Sequence, residues 1–384
     1  MVLETGIKHD QGMMKRHHTL LVFRLIKRYG SLSRAKLTKL TQMSATSVGR
    51  IVKELIKEEF IIEVGESKGS VGRRAIMLEV NPNGGLFFGV NIEKNTIDVG
   101  VVDLNGSVQC VKAKKLVNDS EPMKQLNDII ELIEELKGEY HHLAERIVGC
   151  GISVPGIVDF RSGKVLRVPQ LRWNNVNVKE YLESKLGIKV FIDNQVKAIL
   201  ISESMYGSAV GVESAACIYV GSGLGAAFME NSELIRGVNN MAGEIGHTII
   251  SPNGMLCDCG RVGCLQTYIC SSSLEKESGR TIDEIFNASY KNEKWAVQLI
   301  EQATEYLAMT ISNVVCTYNP EVIILAGTMV QEFPDWAKEV EERVDKFLWD
   351  NVIESVDIQF HSNKTASILG ASCIVLKEFL ESPF

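Results

Sequence analysis

Residues Gly243–Gln266 read GEIGHTIISPNGMLCDCGRVGCLQ. One imidazole, His247, and three thiols, Cys257, Cys259 and Cys264, fall within this single stretch. Four soft or borderline donors are the ligand set of a closed, tetrahedral structural zinc site with no position left for water. Glycines and an aspartate between the cysteines give the chain the freedom to wrap an ion. An ion bound there would hold Glu244 and His247 in place, two side chains suited to contacting a small ligand.

The other six cysteines, Cys110, Cys150, Cys217, Cys270, Cys316 and Cys373, are scattered among apolar residues and read as ordinary buried thiols. Nine cysteines is an odd number, and a chain of 384 residues has ample core without covalent staples, so a disulfide framework is not expected. Composition is that of an ordinary globular protein, with 45% hydrophobic and 23% charged residues, and the length suits two or three domains. No apolar run reaches the length of a bilayer span. Met1 to His18 lacks the apolar core of a signal peptide, so a cytoplasmic protein is expected.

The net charge of −7 conceals two unlike regions. Residues 1–84 hold 15 Lys and Arg against 8 Asp and Glu, whereas the rest hold 26 against 40. A basic N-terminal module on an acidic body points to a polyanion partner at that end. His17 to Tyr29 reads as a helix closed by Gly30. Ser33 can cap a second helix, Arg34 to Thr41, and Ser44 a third, running to about Glu59 with Val48, Ile51, Val52, Leu55 and Ile56 on one face.

In a helix-turn-helix the start of that third helix enters the major groove. There it would present Ser44, Thr46, Ser47 and Arg50, with Lys53 further along. Short hydroxyls reach phosphates and base edges, and Arg bonds guanine through two donors. Phe60 to Val64 and Arg74 to Val80 read as the strands of a wing whose tip carries Lys68, Arg73 and Arg74, within reach of a minor groove. These features make residues 1–80 a winged helix-turn-helix for double-stranded DNA, and Asn81 to Gly85 a linker.

From residue 86 onward strands and helices alternate, which indicates an α/β body. Leu86 to Ile92 and Thr96 to Val102 read as a hairpin. Helices at Met123 to His142, Val178 to Leu186 and Lys197 to Met205 separate strands at Arg146 to Ser153 and Lys189 to Asp193, and a second set of strands starts at Ala215. The order of short motifs is specific: Gly151 to Gly156 (GISVPG), Asp193-Asn194-Gln195, Gly221 to Gly225 (GSGLG), Gly243 to His247, then Cys257 to Leu265.

Taken together with the N-terminal module, these motifs resemble the ROK family of repressors and sugar kinases, in its xylose-repressor-like branch. The resemblance covers nearly the whole chain. It implies that residues 86–384 form an actin/hexokinase-like, ribonuclease H-like body of two α/β lobes with a sugar cleft between them. It also implies that Asn194, Glu244 and His247 hydrogen-bond sugar hydroxyls. Gln266 stands where the family commonly has Glu, and Trp173, beside Asn174 and Asn175, could lay its ring on a pyranose.

Kinases of the family use a glycine-bearing first hairpin loop and a catalytic Asp after an Asn. Here the loop is Asn91-Ile92-Glu93-Lys94-Asn95, without glycine and with a carboxylate that would repel phosphate. The base falls on Gln195, which cannot accept a proton; an alternative register would place Asp193 there. A second phosphate loop, Gly221 to Gly225, is kept, and an adenosine segment at Ala326-Gly327-Thr328 only in part. Losing a general base costs on the order of 10²–10⁴ in rate, so the expectation is a sugar-responsive repressor, the alternative an ATP-dependent sugar kinase with an added DNA reader. The resemblance implies a homodimer or tetramer reading two half-sites, structural zinc on His247, Cys257, Cys259 and Cys264, and a sugar that shifts the DNA-competent population by closing the lobes. The C-terminal helices, Trp295 to Cys316 and Pro334 to Trp349, are candidates for an interface.

Overall fold

The computed structural model describes residues 11–66, 75–116, 121–140, 146–349, 357–361 and 365–381. The chain divides into two compact units: residues 1–153, 177–192 and 368–384 form the first, and 154–176 with 193–367 the second.

The first unit opens with α1 (Gln11–Tyr29), β1 (Leu32–Ser33), α2 (Arg34–Thr41), α3 (Ala45–Lys57), β2 (Ile61–Glu66) and β3 (Ile76–Val80). The expected helix starts are real caps. Ser33 Oγ accepts from Lys36 N at 3.3 Å and Ser44 Oγ from Ser47 N at 3.1 Å. Gln42 takes a left-handed φ of 56° to make the turn between α2 and α3. Val48, Ile51, Val52 and Leu55 of α3 are buried, and β1, β3 and β2 form the small sheet of the wing. α1 begins six residues earlier than the apolar pattern marks, at Gln11.

The body part of the first unit contains β4 (Leu86–Ile92), β5 (Thr96–Asp103), β6 (Val108–Lys115), α4 (Pro122–Glu139), β7 (Ile147–Val154), α5 (Val178–Leu186), β11 (Val190–Asn194) and the C-terminal helix α12 (Ala366–Glu381). Its sheet has the order β11-β7-β4-β5-β6. β4 and β5 are antiparallel, β4 and β7 parallel. α12, which the sequence reading passed over, lies directly on this sheet. A Cβ on Gly151 would sit 1.8 Å from Ala371 O, and one on Gly89 2.1 Å from Ile368 O, so the strands carry glycine where the helix backbone crosses.

Asn81 to Gly85 is a docked turn rather than a free linker. Asn81 N donates to Phe60 O at 2.9 Å and its Nδ2 to Glu59 O at 2.8 Å. Lys27 Nζ donates to Asn105 O at 2.7 Å, and the ring of Phe60 lies 5.5 Å from that of Phe379 on α12. The winged helix thus contacts the β5–β6 turn and α12.

The second unit holds β8 (Ile157–Asp159), β9 (Lys164–Val168), β10 (Trp173–Asn177), α6 (Gln195–Tyr206), β12 (Ala215–Val220), β13 (Leu224–Glu230), β14 (Glu233–Leu234), α7 (Ser271–Ser278), α8 (Ile282–Tyr290), α9 (Lys294–Tyr318), β15 (Val322–Ala326), α10 (Thr328–Glu332), α11 (Pro334–Val344) and β16 (Asp357–Phe360). Its large sheet has the order β14-β13-β12-β15-β16. Numbering each unit's large-sheet strands one to five along the chain, both read 3-2-1-4-5, the repeated ribonuclease H-like plan of actin-like bodies. Its core packs α8, α9 and α11 together: Phe286 stacks on Phe333 at 3.6 Å, and Trp336 Nε1 donates to Thr304 Oγ1 at 2.9 Å.

Candidate metal centre, buried charge cluster and candidate nucleic-acid helix

The loop after β14 folds back on itself through isolated bridges, Ile249 to Cys264 and Leu256 to Val262. Gly263 sits at φ +75°, and a Cβ there would fall 1.6 Å from Ser251 O, so only glycine closes this loop. The result gathers His247, Cys257, Cys259 and Cys264 with their ligand atoms all within 4.8 Å of one another. Cys257 Sγ is 3.7 Å from His247 Nδ1, and Cys259 Sγ 3.6 Å from Cys264 Sγ. Ligands held at ~2.0–2.3 Å in a tetrahedron stand roughly 3.5–3.8 Å apart, so donor chemistry and spacing both fit one small, soft dication.

The electrostatics suit ligation. Burial, with Arg261 nearby, holds His247 below its usual value, which keeps the imidazole neutral. Burial opposes ionisation of Cys259, but hydrogen bonds from the side chain and backbone of Arg261 outweigh it and bring the thiol to about 7. Burial and the neighbouring sulfurs push Cys264 up, an effect that a bound dication would reverse. Gln266 Nε2 donates to Cys257 Sγ at 3.3 Å, so this side chain orients a sulfur.

A second cluster forms where β11 enters α6. Asn194 caps the helix: its Oδ1 accepts from Val196 N at 2.9 Å, and its Nδ2 donates to Gly156 O at 2.9 Å. Asp193, wholly buried, accepts from Asn194 N at 2.8 Å and from Asn240 Nδ2 at 3.2 Å. Its Oδ2 lies 2.7 Å from Arg236 Nη1, a pairing of charges rather than an aligned hydrogen bond. Arg236 also donates to Asn240 Oδ1 at 2.9 Å and rests on the ring of Phe160 at 3.8 Å. Lys197 Nζ donates to Asn240 O at 2.9 Å.

Glu244 lies near this cluster. Burial raises its carboxyl, with the charge of Lys197 opposing, and among the described residues its oxygens have no hydrogen-bond partner. Two hydroxyl-contacting candidates, Glu244 and His247, therefore stand on one short turn beside the sulfur loop, with Asn194 held by its capping role. Trp173 is 1% exposed, its ring enclosed by the core. The residues that sequence reasoning missed are Lys197, Arg236 and Asn240. A usable signal existed for Lys197 alone: it is the one charge in the run Val196-Lys197-Ala198-Ile199-Leu200-Ile201.

The two hairpin loops expected to distinguish kinase from non-kinase are both visible. In the first, Asn91 Nδ2 donates to Glu93 Oε1 at 3.2 Å and Ser153 Oγ to Asn91 Oδ1 at 2.8 Å. Burial, then Glu93, raises Asp98 to about 6. In the second, Gly221 O accepts from Ser271 N at 3.0 Å, and Ser222 O from Ser272 Oγ at 2.6 Å. Gln195 is buried at the start of α6, and the Asp193 carboxylate is consumed by its partners.

On the winged helix, Ser44, Thr46, Arg50 and Lys53 are exposed and Ser47 half-buried. Thr46, Arg50 and Lys53 follow one another around α3 at helical spacing, opposite the face that packs on α1 and α2. Lys68, Arg73 and Arg74 lie outside the described residues. Among the described residues no helix is long and apolar enough to cross a membrane.

Comparison with known proteins agrees with this architecture. The xylose repressor of Bacillus subtilis (strain 168) is 27% identical over 378 residues, spanning 97% of this chain and 98% of the relative. The DNA-binding transcriptional dual regulator NagC of Escherichia coli (strain K12) is 25% identical over 334 residues, with 83% and 82% covered. Among solved structures, a ROK family transcriptional regulator homologous to the E. coli MLC protein superposes with a TM-score of 0.79 at 24% identity, covering 96% of this chain and 98% of that one. The ROK hexokinase of Thermus thermophilus superposes with a TM-score of 0.66 at 23% identity, covering 77% of this chain and 100% of the enzyme. Residues 87–378, which carry both large sheets, the Asp193–Lys197 cluster and the sulfur loop, match the ROK family profile, and the chain belongs to the ROK family.

Proposed function

We propose that this protein is a sugar-responsive transcriptional repressor that binds operator DNA as a homodimer. The observation that carries the reading is the pairing, in one chain, of a capped and exposed α3 surface with an open carboxylate, Glu244, three residues from His247 of the sulfur loop. Ser44, Thr46, Ser47, Arg50 and Lys53 contact the major groove, and Lys68, Arg73 and Arg74 the minor groove. A structural zinc ion on His247, Cys257, Cys259 and Cys264 fixes the histidine tautomer, leaving the second ring nitrogen for the sugar.

The sugar is held by Glu244 and His247, with Asn194 and Gln266 behind them. It lowers DNA affinity by binding the DNA-incompetent state more tightly, since equal binding to both states shifts nothing. Repressor relatives that span the full chain support this reading. So does the residue at the expected base position: Gln195 cannot take a proton, and Asp193, its alternative, is already ion-paired. The test is fluorescence anisotropy of labelled DNA from upstream of the protein's own gene, titrated with protein and then with mono- and disaccharides at fixed salt. Tight binding released by a sugar is expected. Tight binding indifferent to every sugar would remove the effector half of the reading, and sugar-dependent ADP formation would replace it with a kinase.

A further inference from the structure

Resting on the sugar-responsive reading, we propose that the effector is an acidic sugar, and that Lys197 is the residue that selects it by taking its carboxylate. The evidence lies in what the cluster around α6 leaves unpaired. Lys197 is 2% exposed, yet among the described residues its ammonium has one hydrogen bond, to Asn240 O at 2.9 Å. An ammonium has further donors in fixed number and no acceptor, and leaving them unmet away from water is costly. Arg236 differs in being one-fifth exposed. Its Nη1 serves both Asn240 and Asp193, while Nε and Nη2 have no acceptor among the described residues.

The acceptors are distributed the other way. Asp193 Oδ1 takes hydrogen bonds from Asn194 and Asn240, and its Oδ2 is paired by charge with Arg236. Glu244 is the open carboxylate, and a sugar hydroxyl donating to it would use it up. What remains, once a hydroxyl has taken Glu244, is the buried ammonium of Lys197 with donors still unmet.

The helix adds to this imbalance. Lys197 occupies the first turn of α6, a helix of 12 residues, where the backbone dipole already presents positive charge. A cation in that position is unfavourable on three counts: the dipole, the burial and the neighbouring guanidinium. Burial is the main cause that holds Lys197 below its ordinary value, with Asp193 and Glu244 opposing and Arg236 adding to the fall. A ligand carboxylate answers all three, whereas a neutral sugar supplies hydroxyl oxygens but no charge. A phosphate ester would bring a second negative charge into a cluster that already holds Asp193 and Glu244. The ligand class that fits is thus a singly charged sugar acid, with hydroxyls for Glu244 and a carboxylate for Lys197 and Arg236.

The experiment is calorimetric titration of the full-length, metal-loaded protein at fixed salt with matched pairs, glucose against glucuronate and galactose against galacturonate, with glucose 6-phosphate as the dianion. At least one acid is expected to bind about tenfold or more tightly than its neutral parent. Lys197→Met should erase that preference, the ratio of acid to neutral affinity falling toward one, and Lys197→Arg should restore part of it. The wild-type arm decides the matter even if a variant folds poorly. Neutral sugars or glucose 6-phosphate binding as well as the acids would overturn this inference and leave the sugar-responsive reading standing. Binding of no sugar at all would overturn both.

Discussion

The first hairpin of each large sheet can be set side by side. In the first unit β4 and β5 are joined by Glu93-Lys94-Asn95; in the second β12 and β13 are joined by Gly221-Ser222-Gly223. Both pairs of strands are antiparallel and mostly buried, and both sit in the same place in a 3-2-1-4-5 order. The loops share nothing. One has lost its glycines and gathered Glu93 beside Asp98, while the other keeps a backbone open enough to take hydrogen bonds from α7. Sheet order follows from which strand faces are buried, so a loop can lose its chemistry while the fold persists.

The sulfur loop is where that separation should fail. It is a loop, and a dication on its four candidate ligands would add folding energy to its backbone bridges and glycine closures. Cys264→Ser, or stripping with a chelator, is expected to cost roughly 4 kcal/mol and lower the melting midpoint by on the order of 10 °C. One bound zinc per chain should be lost by elemental analysis. An unchanged midpoint would mean that the four ligands hold no ion.

The strand faces should prove as intolerant as the hairpin loops are tolerant. Gly151→Ala puts a methyl 1.8 Å from Ala371 O and drives α12 off the sheet. A loss of about 1–3 kcal/mol or more is expected in denaturant melts. Glu93→Gly, in the loop of the same sheet, should stay within about 1 kcal/mol. Equal losses would break the distinction between face and loop.

That distinction also explains what could be read from the sequence. Caps at Ser33 and Ser44, the α3 apolar face and the four sulfur-loop ligands are local signals with a fixed spacing, and each was legible. α12 was not, because its mean character is apolar all round and its partners, Gly89 and Gly151, are distant in sequence. The roles of Asp193, Arg236 and Asn240 were hidden for the same reason: Asn240 lies 47 residues from the aspartate it bonds. Gln266 and Trp173 were legible as polar and aromatic side chains, but only packing shows one turned to Cys257 and the other enclosed.

Arg50 offers a test of the basic module against the acidic body. It is exposed on α3, with no hydrogen bond or ion pair from its side chain among the described residues. Arg50→Ala should weaken operator binding by about 1–3 kcal/mol, while leaving the melting midpoint and sugar titrations unchanged. A uniform loss across all DNA sequences, with a flatter salt dependence, would reassign it from base reading to phosphate contact.

The smallest effect expected belongs to the altered hairpin. Asp98 is raised from 3.8 to about 6, by burial first and by the charge of Glu93 second. A carboxyl whose folded value is raised favours the folded state when protonated. Its contribution is therefore complete below the unfolded value and is lost as pH rises through about 6. Asp98→Asn removes the titration, so the variant should melt a few degrees above the wild type at alkaline pH, with the margin closing on acidification toward the unfolded value. Glu93→Gln should move the same way by less, because its charge is the lesser cause. Thermal melts across that range decide it. A margin that does not change with pH would mean that the ionised pair is not strained, and that this loop exchanged phosphate-binding glycines for carboxylates at no cost to the sheet that carries it.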